Sequence, residues 1–195
     1  MNRNQTALLI GISLVTVSFA RLVPHPFNFT PLCAMALYGV TYSRNKWLGF
    51  LMPLLAIVFS DILVNLTVQK EHTAVLEYFA GPTAYCVYAS LMLVGALGLF
   101  MNKVTAPKVV LFSLSGSLLF YLLTNTTAWI IDIDSLYSND LGGLLQSLYA
   151  GIPFYNNEIT GSFFLNGIVG DLFFNGLLFG AHALVSKTVF RTQTA

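Results

Sequence analysis

The sequence predicts an all-α integral membrane protein: a single bundle of about six transmembrane helices, with an interfacial helix or loop before the last span. Three observations predict it. First, 56% of the 195 residues are hydrophobic and only 9% are charged, with a mean hydropathy of +0.73. Soluble domains carry about 25% charged residues, and a soluble fold of this size buries only about 70% of its chain surface, too little to hide this much apolar area from water. Second, apolar runs approaching the ~20 residues of a helical bilayer span recur along the whole chain. Third, the basic residues between those runs are distributed unequally between the two sides that the spans define.

The spans follow in order. The first runs from Ala7 to Val23, the second, a short one, from Pro31 to Ser43, and the third from Trp47 to Val68 with Pro53 inside it. The second is short enough that it either tilts little or stops partway across. The fourth covers Tyr78 to Met101, with Pro82 in its first turns, where proline is tolerated. The fifth covers Val109 to Ile131 and the last Ser162 to Ser186. Between these two, Asp132 to Gly161 is too polar and broken to span; its middle, Leu141 to Ala150, is weakly amphipathic and reads as an interfacial helix. The whole of residues 1–195 forms one transmembrane domain, without an internal repeat or linker.

With the N-terminus inside, Arg3, Arg44, Lys46, Lys103, Lys108, Lys187 and Arg191 fall on the cytoplasmic side, and only Arg21 and Lys70 fall outside. That asymmetry is the meaningful one, because acids weigh little in topology. An even number of spans returns both termini to the cytoplasm. A competing reading of the start is a signal peptide, since Arg3, an apolar run and Ser18-Phe19-Ala20 imitate a cleavage site. The net charge of +1 gives no basis for a nucleic-acid partner; the partner is the lipid bilayer. Cys33 and Cys86 are too few for a disulfide framework and lack zinc spacing. No P-loop, HExxH or GxSxG motif is present, so no enzyme activity, metal or cofactor is expected.

One stretch stands out from the apolar background: Arg21 to Gly39, RLVPHPFNFTPLCAMALYG. Pro24, Pro26 and Pro31 forbid a continuous helix and keep the backbone extended. Arg21, His25, Phe27, Asn28 and Phe29 therefore form a stiff, polar, aromatic loop, suited either to a membrane-surface turn or to contact with a ligand. Polar residues inside the spans also need a destination, because lipid cannot satisfy them. Asp61 and Asn65 are four residues apart on one face of the third span, and Thr124 to Thr127, followed by Trp129, lie near the outer end of the fifth. Asp61 either pairs with Arg21 or a helix end, or belongs to a substrate site. In the last span Asp171, Asn175 and His182 share a face; Asp171 and Asn175 read as interhelical glue and His182 as a packing residue. Ala7 with Gly11, Ser113 with Ser117, and Gly176 with Gly180 form small-x-x-x-small pairs that allow close helix approach.

The string RLVPHPFNFTPLCAMALYG resembles the N-terminal signature of a widespread, uncharacterised family of small bacterial membrane proteins described as transport proteins. Phe59-Ser60-Asp61, Thr124-Asn125 with Trp129, Gly143-Leu144 through Ile152-Pro153-Phe154, and Phe173-Phe174-Asn175-Gly176 extend the resemblance along most of the chain. That family in turn looks like the substrate-binding (S) components of energy-coupling-factor vitamin transporters, six-helix proteins of about this size. The resemblance implies residence in the cytoplasmic (inner) membrane of a bacterium, and a transmembrane coupling protein with ATPase subunits as partner. Where S components carry Ala-x-x-x-Ala on the first helix, this chain has Ala7-x-x-x-Gly11. Cobalamin-specific S components use a cysteine near the cobalt, a role the resemblance would give to Cys33 or Cys86.

The resulting expectation is a substrate-capture subunit for a small micronutrient or vitamin-like molecule. Its outward-facing site would comprise Arg21, His25, Phe27, Asn28, Asp61, Asn65, Asn125, Trp129 and Phe154. Arg21 would pair a substrate carboxylate or phosphate, the asparagines would fix orientation, and the aromatic side chains would stack on a flat ring. The alternatives are a non-transporting scaffold subunit of a membrane complex and a small ion-coupled transporter that uses Asp61 or Asp171 as proton carrier.

Overall fold

The computed structural model describes residues 11, 12, 15, 26–67, 81–132, 135–153 and 161–193; the side chains of residues 60, 61, 63–67 and 188–193 lie outside that description. The described residues contain six α-helices and no strand: α1 (Leu32–Tyr42), α2 (Lys46–Thr67), α3 (Pro82–Leu97, continued by a 3-10 turn over Gly98–Phe100), α4 (Ala106–Ile131), α5 (Leu141–Ala150) and α6 (Phe163–Gln193). By length and composition, three stretches can cross a membrane: Pro82–Phe100, Ala106–Ile131 and Phe163–Lys187. Of the first predicted span only Gly11, Ile12 and Val15 are described, all helical; Ala7 lies outside the described residues.

The shortest predicted span is the centre of the fold. Every residue of α1 from Leu32 to Val40 is buried, and the helix touches α2, α3, α4 and α6. Eleven residues rise about 16 Å, roughly half the thickness of a hydrocarbon core. A helix that ends inside a bundle must satisfy its terminal N–H and C=O groups without water. Its N-cap is Pro31, whose side chain makes no capping bond. The Asp171 carboxylate of α6 takes that place, with the Ala34 N–H directed at it. At the other end the Lys46 ammonium donates to the carbonyls of Val40 (2.7 Å) and Thr41 (3.3 Å). A carboxyl group therefore meets the positive end of the helix dipole and a cation the negative end.

α1 and α2 lie backbone to backbone. A Cβ on Gly49 would sit 2.7 Å from the Gly39 carbonyl oxygen and from the Val40 Cα, so only glycine fits there. Pro53 lies inside α2, and the carbonyl it deprives of a helical partner is that of Gly49, at this same contact. The 3-10 turn after α3 is held against α1 in the same way: a Cβ on Gly98 would come 2.8 Å from the Leu37 carbonyl. Near this end Tyr38 donates to or accepts from His182 Nδ1 at 2.9 Å, and Tyr42 stacks on the His182 ring at a centroid distance of 3.6 Å. His182 is thus a packing residue, enclosed with Phe179 in an aromatic cluster.

Not every small-residue pair works as expected. A Cβ on Gly176, Gly180 or Gly11 would meet no described atom within 4 Å, so these glycines seat no neighbouring helix among the described residues. Close approach occurs instead at Gly39, Gly49 and Gly98, which the spacing pattern does not mark. Ser113, Gly116 and Ser117 do lie buried, on the α4 face that meets α1, α3 and α6.

The exterior is apolar and the interior holds the polar groups. Trp47, Phe100, Leu111, Ile130 and Leu184 are exposed, while Ser90, Ser113, Ser117, Asn166, Asp171 and Asn175 are buried. Helix α5 repeats the inversion on a small scale. Leu141, Leu145 and Tyr149 form its exposed face, while Gly143 and Ser147 face inward.

Candidate ligand-binding cavity

A cavity of about 390 Å³ lies at the end of the bundle formed by the second half of α4, the first half of α6 and the N-terminus of α1. Its walls come from five places. The 26–31 loop and the start of α1 contribute Asn28, Thr30, Leu32 and Cys33, and α3 contributes Thr83 and Val87. α4 contributes Ser117, Phe120, Tyr121, Thr124, Asn125 and Ala128. Ser147 and Gly151 lie above, with Tyr137 beside them, and α6 adds Phe163, Phe164, Gly167 and Asp171. From Ser117 to Ala128 the cavity follows α4 for about 16 Å.

Each wall is fixed by a bond that the local sequence makes possible. Asn28 adopts φ 64°, the left-handed region that asparagine tolerates. This turn lets its side-chain amide donate to the Phe163 carbonyl at 3.0 Å, closing the loop onto the start of α6. Asn166 donates to the Phe27 carbonyl at 3.2 Å, a second tie between the same two segments. Helix α5 starts at Asp140, whose carboxylate accepts from the Gly143 N–H at 2.9 Å and the Ser138 hydroxyl at 2.7 Å. Those two bonds hold the Asp140 carboxyl below the usual carboxylate range. Ser147 then donates to the Asn125 carbonyl at 3.0 Å and Tyr121 donates to the Leu148 carbonyl, which seats α5 over α4 as a roof.

The floor is polar. Ser117 Oγ donates to Asp171 Oδ2 at 2.6 Å, and the Cys33 thiol and the Ala34 N–H face the same carboxylate. One turn further along α6, Asn175 donates to Ser113 Oγ at 3.0 Å. Asp171 and Asn175 therefore do join helices, as glue residues should, but Asp171 also lines the cavity. Phe120, Tyr121, Phe163, Phe164 and Tyr137 supply an aromatic lining, with the Tyr121 and Phe164 rings 4.3 Å apart. Toward the roof a second cleft shares Thr83, Val87, Thr124, Ala128 and Tyr137 with the cavity and continues past Cys86 to Asp132. Cys86 lies within hydrogen-bonding distance of Thr127 Oγ1, at 2.8 Å, and lines that cleft rather than the cavity.

Of the residues the sequence nominates, Asn28 and Asn125 come together in the cavity. Phe27 does not: its ring is 56% exposed and lines no wall, because the left-handed turn at Asn28 sends the two side chains apart. Phe29 packs on Phe173 and Phe174 instead of facing a ligand. Trp129 points toward the 135–140 segment, donating from Nε1 to the Ser138 carbonyl at 2.9 Å, and is also outside the lining. Arg21, His25 and Phe154 lie outside the described residues, as do the side chains of Asp61 and Asn65. No described residue of α2 lines the cavity; that helix packs on α1 and α3.

The sequence alone nominates none of Ser117, Thr83, Tyr137 and Ser147 as site residues; it offers Asp171 as interhelical glue or proton carrier and gives Cys33 a ligand role only through the S-component resemblance. The available signal for Asp171 was its cost. A carboxyl in mid-span implies donors from another helix, and those donors border the cavity.

A family model covers residues 1–193. The chain belongs to DUF6580, a family of unknown function. Membership agrees with the uncharacterised family expected from the Arg21–Gly39 stretch, and it brings no activity with it. No curated protein and no solved structure matches this DUF6580 chain.

Proposed function

We propose that this protein is a membrane-embedded capture protein that takes up a small molecule into the cavity beneath α5. One observation carries the reading: a roofed cavity of about 390 Å³ with aromatic walls and a polar floor, within the ~300–1,000 Å³ range of small-molecule sites. Membrane residence is supported by the three long apolar helices, the exposed apolar exterior and the buried polar interior. The cavity lies at the Ile131 end of α4, away from Lys108 at its start, and Arg44, Lys46 and Lys103 join Lys108 in the loops of that opposite end. With basic loops cytoplasmic, the cavity faces outward from a bacterial inner membrane and both termini lie in the cytoplasm. The exposed Leu141–Leu145–Tyr149 face of α5 then rests in the interfacial region of the bilayer.

The S-component resemblance of the sequence is the reason to expect a transmembrane coupling protein with ATPase subunits as partner, and a vitamin-like cargo. Binding from outside, closure of the 26–31 loop and α5, and reorientation driven by that partner make up the mechanism. A second reading, ion-coupled transport, is favoured by one feature: Asp171 is buried and lines the cavity floor, where a proton-carrying carboxyl would have to be.

Native mass spectrometry of protein purified from membranes tests the capture reading. A co-purified small molecule is expected on the unmodified chain and on Phe27→Ala, and its loss is expected on Asn125→Ala. Equal retention by Asn125→Ala would reject this cavity as the site. Uptake that follows a proton gradient and ignores ATP would favour the second reading.

A further inference from the structure

We infer that the cavity selects a flat molecule whose inner end is a cation or an N–H donor, received by Asp171. This names the substrate class of the capture site just proposed and rests on that proposal. The first ground is the hydrogen-bond inventory of the lining from the Ser117 floor to the Ser147 roof. A hydroxyl has one proton to give. Ser117 directs its proton to Asp171 Oδ2 at 2.6 Å, with the Ser113 carbonyl further away at 3.1 Å. Thr124 gives its proton to the Phe120 carbonyl at 2.9 Å, Ser147 to the Asn125 carbonyl, and Tyr121 to the Leu148 carbonyl. Each of these four oxygens therefore meets a ligand with lone pairs only.

The second ground is charge. Asp171 is the one acid in the described lining, and no Lys or Arg occurs there. A carboxylate accepts about four hydrogen bonds. Ser117 donates to one oxygen and the Cys33 thiol and Ala34 N–H lie beside the group, which leaves room for a donor from the cavity side. An anionic ligand would bring a like charge to this floor without a described counter-cation. A cationic or N–H-bearing group would complete the carboxylate's coordination. The adjoining cleft repeats the sign. Asp132 lines it, its two oxygens fixed by the Leu136 and Tyr137 N–H groups at 2.9 and 2.8 Å. The hydroxyls of Thr30, Thr83 and Tyr137 serve as donor or acceptor, and the Asn28 and Asn125 amides each offer a second N–H as well as an oxygen, so the upper walls accept either polarity while the floor does not. The ring lining sets the shape: aromatic walls fit a flat body and attract a cation on their faces. This polarity at the floor is the opposite of the one expected around Arg21, which lies outside the described residues.

Benzamidinium and benzoate, one ring with opposite ends, are the probes. The full chain is placed in lipid nanodiscs, and binding is followed by ligand-observed NMR and by thermal stabilisation. Benzamidinium is expected to bind at least about tenfold more tightly than benzoate, the size of one charge-assisted hydrogen bond. Asp171→Asn is expected to abolish that preference. Because Asp171 also receives the N-terminus of α1, Ser117→Ala serves as a second variant: it keeps the carboxylate and frees a lone pair, so benzamidinium affinity should hold or rise. Benzoate binding as well as benzamidinium, or loss of benzamidinium in Ser117→Ala, overturns the donor assignment and leaves capture standing. A protein that native mass spectrometry finds empty and that responds to neither probe removes the capture reading, and this inference with it.

Discussion

The two ends of the bundle are built from the same helices and differ in what fills the space between them. At the Lys46 end, α1, α2 and the turn after α3 meet backbone to backbone through Gly39, Gly49 and Gly98, and Tyr38, Tyr42, Phe179 and His182 stack beside this solid seam; the described residues leave a cleft of about 290 Å³ to the side of it, between the start of α4 and residues 176–183 of α6. At the Asp171 end, the same α4 and α6 diverge around about 390 Å³ and are bridged by a roof and a loop. The solid end has glycine where side chains would separate the helices. The hollow end has phenylalanine, tyrosine and hydroxyl side chains that hold the helices apart and then bond among themselves. In a bilayer, apolar contact between helices gains little over contact with lipid, so tight packing and internal hydrogen bonds must supply the cohesion. The solid end supplies the first and the hollow end the second.

That contrast makes opposite demands on variants at the two ends. The largest stability loss is expected from Gly49→Leu, which drives a side chain into the Gly39 and Val40 backbone. Overpacking against atoms that cannot rotate away costs about 3 kcal/mol, and the measurement is the thermal midpoint in detergent. A Gly49→Leu protein as stable as the unmodified chain would show that α1 and α2 do not lie this close. Next comes Tyr38→Phe. It removes the 2.9 Å bond to His182 and should cost about 1–2 kcal/mol without altering ligand retention.

The hollow end should behave in the reverse manner. Asn125→Ala removes a bond to the Tyr121 carbonyl of its own helix, a loss of about 1 kcal/mol, yet ligand-dependent stabilisation should disappear. A variant that keeps full ligand response would move the site away from this wall. The smallest effect is expected from Asp140→Ala at the start of α5: a slight fall in thermal midpoint at neutral pH. The Asp140 carboxyl is held below its ordinary value, so its contribution is complete above the unfolded pKa of about 3.9 and is lost as pH falls through the lower folded value. Midpoints of the two proteins should therefore approach one another as pH falls below the ordinary carboxylate range, because the protonated cap no longer attracts the Gly143 N–H as an anion. A gap that persists unchanged at low pH would assign the effect to something other than the charged cap.

Legibility from the sequence follows the same division. Helix positions were readable: apolar runs gave α2, α4 and α6 within a few residues of their described starts, and Pro82 sits at the first position of α3 as proline should. The lack of helix around Asn28 was readable from its prolines, but the backbone there is not extended: it closes a turn, with the Phe29 N–H on the Pro26 carbonyl and Asn28 left-handed. The burial of α1 on every side was not, because an eleven-residue apolar helix has no polar face to reveal which way it turns. The site was half readable. Asn28 and Asn125 were found because amides in an apolar chain are conspicuous. Phe27 and Trp129 lie outside the cavity lining: an aromatic residue beside a polar one suggests stacking, whereas each side chain's direction depends on one backbone dihedral or one carbonyl.

Composition and periodicity by themselves determined an all-helical chain with lipid-compatible faces, its turns, and the presence of several polar groups that need company. Those properties are local, set by each residue's transfer energy and by the 3.6-residue repeat of its own helix. Only the tertiary structure decided which groups meet. Ser117 and Asp171 are 54 positions apart, and their contact depends on the rotation and spacing of two helices around a third. Both helices pack on α1, whose own residues lie far from either of them in the chain, so no stretch of sequence around the site could have encoded it alone.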